Sequence, residues 1–203
     1  MEQLKAYNIC LLGKTGDGKS SLINAMFGTS FPTNPFYSCT KELYSVSKVE
    51  GAPDGYDFFS VYDTPGIGEF PDNSKYQRYY DFVVSKANVI VLVLTHDKRD
   101  APKQRLLNSL KESLDINRKV KFVIALNHID SMAVAPNKDY QPWNYEENKP
   151  SEECNEIIRE RMEIIHEKYD DIFMPSAIVP TCAANGINYG MEELKKEILT
   201  NKQ

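Results

Sequence analysis

Apolar and polar positions alternate along this 203-residue chain in two rhythms. "NVIVLVLT" is a continuous apolar run, the pattern of a strand covered on both faces; the largely apolar "YNICLLG" reads as a buried strand and "VKFVIALN" as a third central one. "ELYSVSKVE" alternates in single steps, "APDGYD" supplies turn residues and "DFFSVYD" returns as a strand, so this pair reads as a hairpin. Segments of helical period stand between the runs. In "SSLINAMFG", Leu22, Ile23, Met26 and Phe27 share one helix face and Gly28 is the stop. "KYQRYYDFVVSKA" reads as a helix that buries Tyr79, Tyr80, Phe82 and Val83, and "PKQRLLNSLKESL" as another that starts at Pro102. "SEECNEIIRERMEIIHEKY" is a long helix capped by Ser151, with Glu152 and Glu153 at its positive end. "SAIVPTCA" is a short last strand and "GMEELKKEIL" a closing helix. Residues 131–150, rich in Pro, Asn and aromatics, read as an irregular insertion. Strands alternating with helices predict an α/β fold in three layers, a mostly parallel sheet with helices on both faces. Residues 1–203 read as one domain.

Composition narrows the class. A 41% hydrophobic content is enough for a sizeable core. A net charge of −5 disfavours a broad nucleic-acid surface, which would need clustered Lys and Arg. Cys10, Cys39, Cys154 and Cys182 stand far apart with no CxxC pair, so neither a zinc site nor a disulfide framework is implied. The start lacks the apolar stretch of a signal peptide, and "VIVLVL" is far too short to span a bilayer. The chain reads as cytoplasmic, with no transmembrane segment.

The chemistry is concentrated at the ends of predicted strands. Gly13, Lys14, Thr15, Gly16, Asp17, Gly18, Lys19 and Ser20 fit G-x-x-x-x-G-K-[ST], between a predicted strand and a predicted helix. Glycines let backbone N–H groups turn inward around phosphate oxygens, and the helix N-terminus favours an anion. Lys19 would reach the β- and γ-phosphates and Ser20 would ligate Mg²⁺; Ser21 extends the nucleotide-contact set. In "DTPG", Asp63 would hold a metal-bound water and the Gly66 N–H would meet a γ-phosphate. In "NHID", the Asp130 carboxylate can accept from the guanine N1–H and 2-amino groups, donors that adenine does not offer. Asn127 would brace that loop and touch the base edge. In "TCAANGI", backbone N–H groups near Cys182 and Ala183 would meet the guanine O6; Ser176 in "SAI" is a competing match, but it precedes its strand.

These four pieces, each at a predicted strand's C-terminal end, resemble the Era-like P-loop GTPases. "GKTGDGKSSLINAMFG" with "DTPGIGEF" looks most like the YfjP-like bacterial GTPases and, more distantly, is similar to the GIMAP, immunity-related and septin GTPases. The resemblance covers nearly the whole chain. It implies a six-stranded mixed sheet with one antiparallel edge strand formed by the early hairpin. It also implies GTP and GDP as ligands with Mg²⁺, and a first switch at "FYSCTKE". Thr40 would bind Mg²⁺ there, with Thr33 as the alternative, and Lys19, Thr40 and Gly66 would serve catalysis. Pro32 and Pro35 rule out a regular helix before it. Phe31, Phe36 and Tyr37 would shield the base, meet a partner or pack locally.

The chain departs from the pattern in several places. Ile67 follows "DTPG" where many relatives place a water-orienting Gln. Gly16 stands where potassium-binding relatives carry Asn, so potassium activation is not expected. His128 replaces the usual Lys of N-K-x-D and would lie along the base plane, with altered bracing of the loop. Some relatives pair two G domains across the nucleotide face; Arg99 and Asp17 are read as solvated surface residues in preference to such contacts. His96 and His166 are isolated and carry no ligand role, and Trp143 either anchors the insertion or forms a contact surface. The expectation is slow hydrolysis of GTP in a nucleotide-dependent switch, aided by a homodimer across the nucleotide face or by an activating protein. The alternative is a nucleotide-loaded interaction module with negligible hydrolysis.

Overall fold

A computed structural model describes residues 3–33, 42–66, 81, 85–95, 110, 120–132, 140–184 and 186–200. Six strands form the central sheet: β1 (Ala6–Leu12), β2 (Tyr44–Lys48), β3 (Phe58–Asp63), β4 (Val89–Leu94), β5 (Lys121–Leu126) and β8 (Ala177–Pro180). Their spatial order is β2-β3-β1-β4-β5-β8. All neighbours are parallel except β2 and β3, which pair antiparallel with Val46 opposite Val61. The expected antiparallel edge strand is therefore present, and its Ser and Lys positions suit an edge half open to water.

Burial on both faces explains the apolar runs. All six residues of β4 are buried. Within it Ile90, Leu92 and Leu94 enter one core layer while Val89, Val91 and Val93 enter the other, the two-residue period of a strand. Helices α1 (Lys19–Phe27) and α3 (Met191–Leu199) cover the second face through Leu22, Ile23, Leu194 and Ile198. Helix α2 (Glu152–Phe173) covers the first through Ile158, Ile165 and Tyr169. Each fully buried aliphatic side chain contributes about 1.5–3 kcal/mol, so these two layers dominate the stability.

The helix ends follow their sequence signals. The Gly28 N–H closes on Asn24 O with φ 65°, ending α1. Ser151 caps α2, its hydroxyl accepting from the Cys154 N–H at 3.2 Å. No helix among the described residues is long and apolar enough to cross a membrane.

Two small hairpins were not legible as such. In the stretch expected to be irregular, β6 (Trp143–Asn144) pairs with β7 (Lys149–Pro150). The expected last strand breaks at Thr181, and β9 (Cys182–Ala184) turns onto β10 (Ile187–Tyr189). Strands of two or three residues carry no measurable periodicity. Trp143, 2% exposed, anchors its hairpin, packing edge-on against Tyr189 with ring centroids 5.5 Å apart. The expected helices at residues 75–87 and 102–114 lie mostly outside the described residues, and Tyr79, Tyr80, Phe82 and Val83 lie wholly outside them.

Candidate functional site

The loop between β1 and α1 is built from its backbone outward. Gly16 and Gly18 adopt φ of 83° and 90°, and the turn closes with Asp17 N–H donating to Lys14 O at 3.2 Å. Gly18 also admits a neighbour: a Cβ there would overlap the side chain of Asn127. Helix α1 starts at Lys19 with no acidic residue of its own in the first turn, so its positive end favours an anion. The buried Lys19 ammonium donates to Gly13 O at 3.1 Å and Lys14 O at 3.0 Å, held within the loop it would serve.

Asp17 corrects the surface expectation. It is 4% exposed, and its carboxylate accepts from the Lys14 N–H at 2.8 Å and from the Thr95 hydroxyl at 3.4 Å. The flanking left-handed glycines turn the side chain into the loop, where it braces the backbone.

Asp63, fully buried at the end of β3, brings its Oδ2 within 2.6 Å of the Ser20 hydroxyl, which donates to it. Beyond it the Thr64 hydroxyl donates to Leu11 O at 2.8 Å, tying the "DTPG" segment to β1. Gly66 then lies so close to Thr15 that any Cβ would overlap its backbone. The Thr15 hydroxyl is buried there without a hydrogen-bond partner. Thr40, Ile67, Phe36, Tyr37, His96 and Arg99 lie outside the described residues. Thr33 is described, and Phe31 packs locally against the Tyr44 ring at 5.7 Å.

The third loop follows β5. Asn127, 1% exposed, donates through Nδ2 to Asp17 O at 2.8 Å and accepts from the Thr181 hydroxyl at 3.2 Å. It thereby joins the glycine loop after β1 to the segments that follow β5 and β8. His128 takes a left-handed conformation, φ 59°, and its Nε2 lies 3.2 Å from Gly16 O, so the imidazole also braces the glycine loop. Asp130 follows in the short 3-10 turn Ile129–Ser131, and its Oδ1 is buried without a hydrogen-bond partner. Cys182 adjoins Asp130: burial first, and then that carboxylate, push its thiol up to about 12.

A cavity of about 260 Å³ opens between α1 and the β9–β10 hairpin, with Ser21, Asn24, Thr33, Ala183 and Asn188 among its lining residues. Ser21 and Ala183, far apart in sequence, thus share one space. Sequence reasoning missed Asn24, which clamps the chain after α1 by donating to Phe31 O at 2.9 Å and accepting from Phe31 N–H at 2.8 Å. It also missed Thr181; the motif "TCA" held its signal, since a Thr at a strand end can reach two loops at once.

Three strand ends thus supply a glycine loop with a buried lysine, a hydroxyl–carboxylate pair and a short acidic turn. The sequence model of the family described as "50S ribosome-binding GTPase" matches residues 8–128, more than half of the chain. The chain belongs to this GTPase family. GTP-binding protein A of Dictyostelium discoideum is 30% identical over 148 residues, 70% of this chain and 32% of that protein. YfjP of Escherichia coli K12 is 31% identical over 103 residues, 49% of this chain and 34% of that protein. The GTPase therefore spans about a third of the length of these curated relatives. Among solved structures, Aquifex aeolicus Era bound to GDP·AlF4⁻ superimposes with a TM-score of 0.65 at 23% identity, covering 97% of this chain and 56% of that one. Toc33 of Arabidopsis thaliana, in a dimerization-deficient mutant, gives 0.67 at 16% identity, covering 98% and 86%. The fold of the GTPase is that of these G domains, and guanine nucleotide is its family's ligand.

Proposed function

We propose that this GTPase binds GTP with Mg²⁺, hydrolyses it slowly to GDP and phosphate, and changes conformation as it does so. The observation that supports the reading is the Asn127 bridge, which ties the glycine-rich loop to the loop that carries Asp130. In this reading Asp130 accepts from guanine N1–H and the 2-amino group. Its buried Oδ1 without a partner is the acceptor such a ligand would satisfy. Amide groups from Gly13 to Ser21 would hold the phosphates, and the Cys182–Ala183 backbone would meet the base O6.

The donor set fits Mg²⁺: the Ser20 hydroxyl and the Asp63 carboxylate are hard oxygen ligands already brought together. Ser20 would hold the ion directly, Asp63 through a water, and Thr40 would complete the set. When bound, the ion neutralises charge on the β- and γ-phosphoryl oxygens. In hydrolysis a water oxygen bonds to the γ-phosphorus and the bond to the β-bridging oxygen breaks, leaving that electron pair on GDP; the water's proton passes to the released phosphate. Lys19 and the loop amides stabilise the charge that develops. Thr40 and Gly66 would feel the γ-phosphate and relax once it leaves. An arginine finger or its equivalent contributes about 10³–10⁵ in rate, and the motifs supply none, which sets the expectation of slow turnover.

Calorimetry with GDP and GTP in Mg²⁺ tests binding. Phosphate release measured across protein concentrations tests the rest. Specific activity that rises with concentration supports assistance by a second copy across the nucleotide face. Binding with no release at any concentration leaves a nucleotide-loaded interaction module instead.

A further inference from the structure

The small hairpin β6–β7 lies outside every motif, yet together with the start of α2 it backs both stretches assigned to the base. Its own construction is firm. Asn144 Oδ1 accepts from the Glu146 and Glu147 N–H groups at 3.0 and 3.1 Å, and Ser151 N–H donates to Pro142 O at 3.0 Å, closing the base of the hairpin onto the start of α2. From this base two contacts run inward. Trp143 packs edge-on to Tyr189, and Tyr189 stands directly opposite Cys182 in the β9–β10 ladder. Cys154, in the first turn of α2, points its thiol at Ile129 O from 3.5 Å, the residue just before Asp130. Tyr140, at the hairpin's entry, packs on the same core layer as Ile129, Met132, Cys154 and Cys182.

We infer that the Trp143 hairpin is a positioning element for purine selection, holding the Asp130 loop and the Cys182–Ala183 loop at a fixed separation. The inference rests on the reading that Asp130 selects guanine. A carboxylate that takes two hydrogen bonds from one base edge tolerates displacement of only a few tenths of an ångström, so what supports its loop sets its selectivity. Among the described residues the two base stretches meet through Ile129 N–H to Thr181 O at a long 3.4 Å, through the Thr181 hydroxyl on Asn127, and where the Cys182 thiol lies against Asp130. The packed layer of Trp143, Tyr189 and Cys154 adds a second support, from the side away from those bonds.

The test compares GDP with inosine diphosphate, which lacks the 2-amino group and so reports on the Asp130 contact. Trp143→Ala should weaken GDP binding by about tenfold or more and shrink the GDP-over-IDP preference, while Trp143→Phe keeps most of both. Ile198→Ala, on α3 across the sheet, is the control: it should lower Tm yet leave the GDP-to-IDP ratio unchanged. If Trp143→Ala does not fold, Tyr189→Leu replaces it with the same expected ratio change. As the chain's lone tryptophan, Trp143 should also show a saturable emission change when GDP binds to the unaltered protein. A folded Trp143→Ala or Tyr189→Leu variant with wild-type GDP affinity and an unchanged ratio would overturn the inference alone. Failure of the unaltered protein to bind GDP in calorimetry would instead remove the functional reading beneath it.

Discussion

Asn127 Nδ2 donates to the backbone carbonyl of Asp17 at 2.8 Å, with both groups buried. The bond spans 110 positions of sequence and joins the loop that would hold phosphate to the loop that would hold the base. Its loss should therefore affect the whole pocket. Asn127→Ala removes the buried bond to the Asp17 carbonyl and the acceptor of one Thr181 hydroxyl bond, at about 1–3 kcal/mol, while Thr181 keeps its bond to Leu126 O. GDP and GTP affinity should fall together, by about tenfold to a hundredfold. Calorimetry with both nucleotides checks it; loss confined to GTP would argue against a shared brace.

Asp17 makes the phosphate loop its own scaffold. Its carboxylate holds the Lys14 N–H, and a hydrogen bond to a charged group contributes about 1.5–3 kcal/mol. Asp17→Ala should lower thermal stability and weaken GDP binding, whereas Asp17→Asn keeps an acceptor for that N–H and should lie near the parent in Tm. If Ala and Asn lose stability equally, the bond to Lys14 is not what Asp17 contributes.

What the chain's pattern revealed and what it hid divide along physical lines. The sheet was legible because β4 is buried on both faces along its whole length and β1 and β5 along most of theirs, which leaves long apolar runs. The glycine loop was legible because its positive-φ positions admit few residues. The direction of Asp17 was not, since a side chain beside two left-handed glycines can face either way until the fold is known. Nor was the role of Trp143, whose partner Tyr189 lies 46 residues later on a three-residue strand. Contacts between elements too short to have a period leave no trace in one sequence.

Ser20 and Asp63 predict a metal dependence. Ser20→Ala removes the hydroxyl 2.6 Å from Asp63 Oδ2. In Mg²⁺ this variant should bind GTP about tenfold or more weakly than the parent. With the ion chelated by EDTA, parent and variant should converge. A difference that persists in EDTA would mean that Ser20 acts through the fold and not through the metal.

Asp130 predicts a switch in base preference. Asp130→Asn replaces an acceptor by an amide donor, which matches the 2-oxo group of xanthine in place of the 2-amino group of guanine. Affinity for GDP should drop by about a hundredfold and that for xanthosine diphosphate should rise. Competition of the two nucleotides against a labelled GDP analogue reads the change, and unaltered GDP affinity would remove Asp130 from the base site.

Buried thiols predict how stability responds to alkali. Burial raises Cys10 well above its ordinary value of 9.0, and burial together with Asp130 raises Cys182 to about 12. Both remain neutral in the folded chain at pH values where the unfolded chain ionises them. The unfolded state then binds fewer protons, so stability is fully present below pH 9 and declines as pH rises from there. The slope from Cys10 is about 1.4 kcal/mol per pH unit, and Cys182 adds to it until its own thiol ionises near 12. Urea unfolding at pH 8 and pH 10.5 should show the loss, and Cys182→Ala should lessen it. A flat profile over that interval would mean that water reaches these thiols in the folded chain.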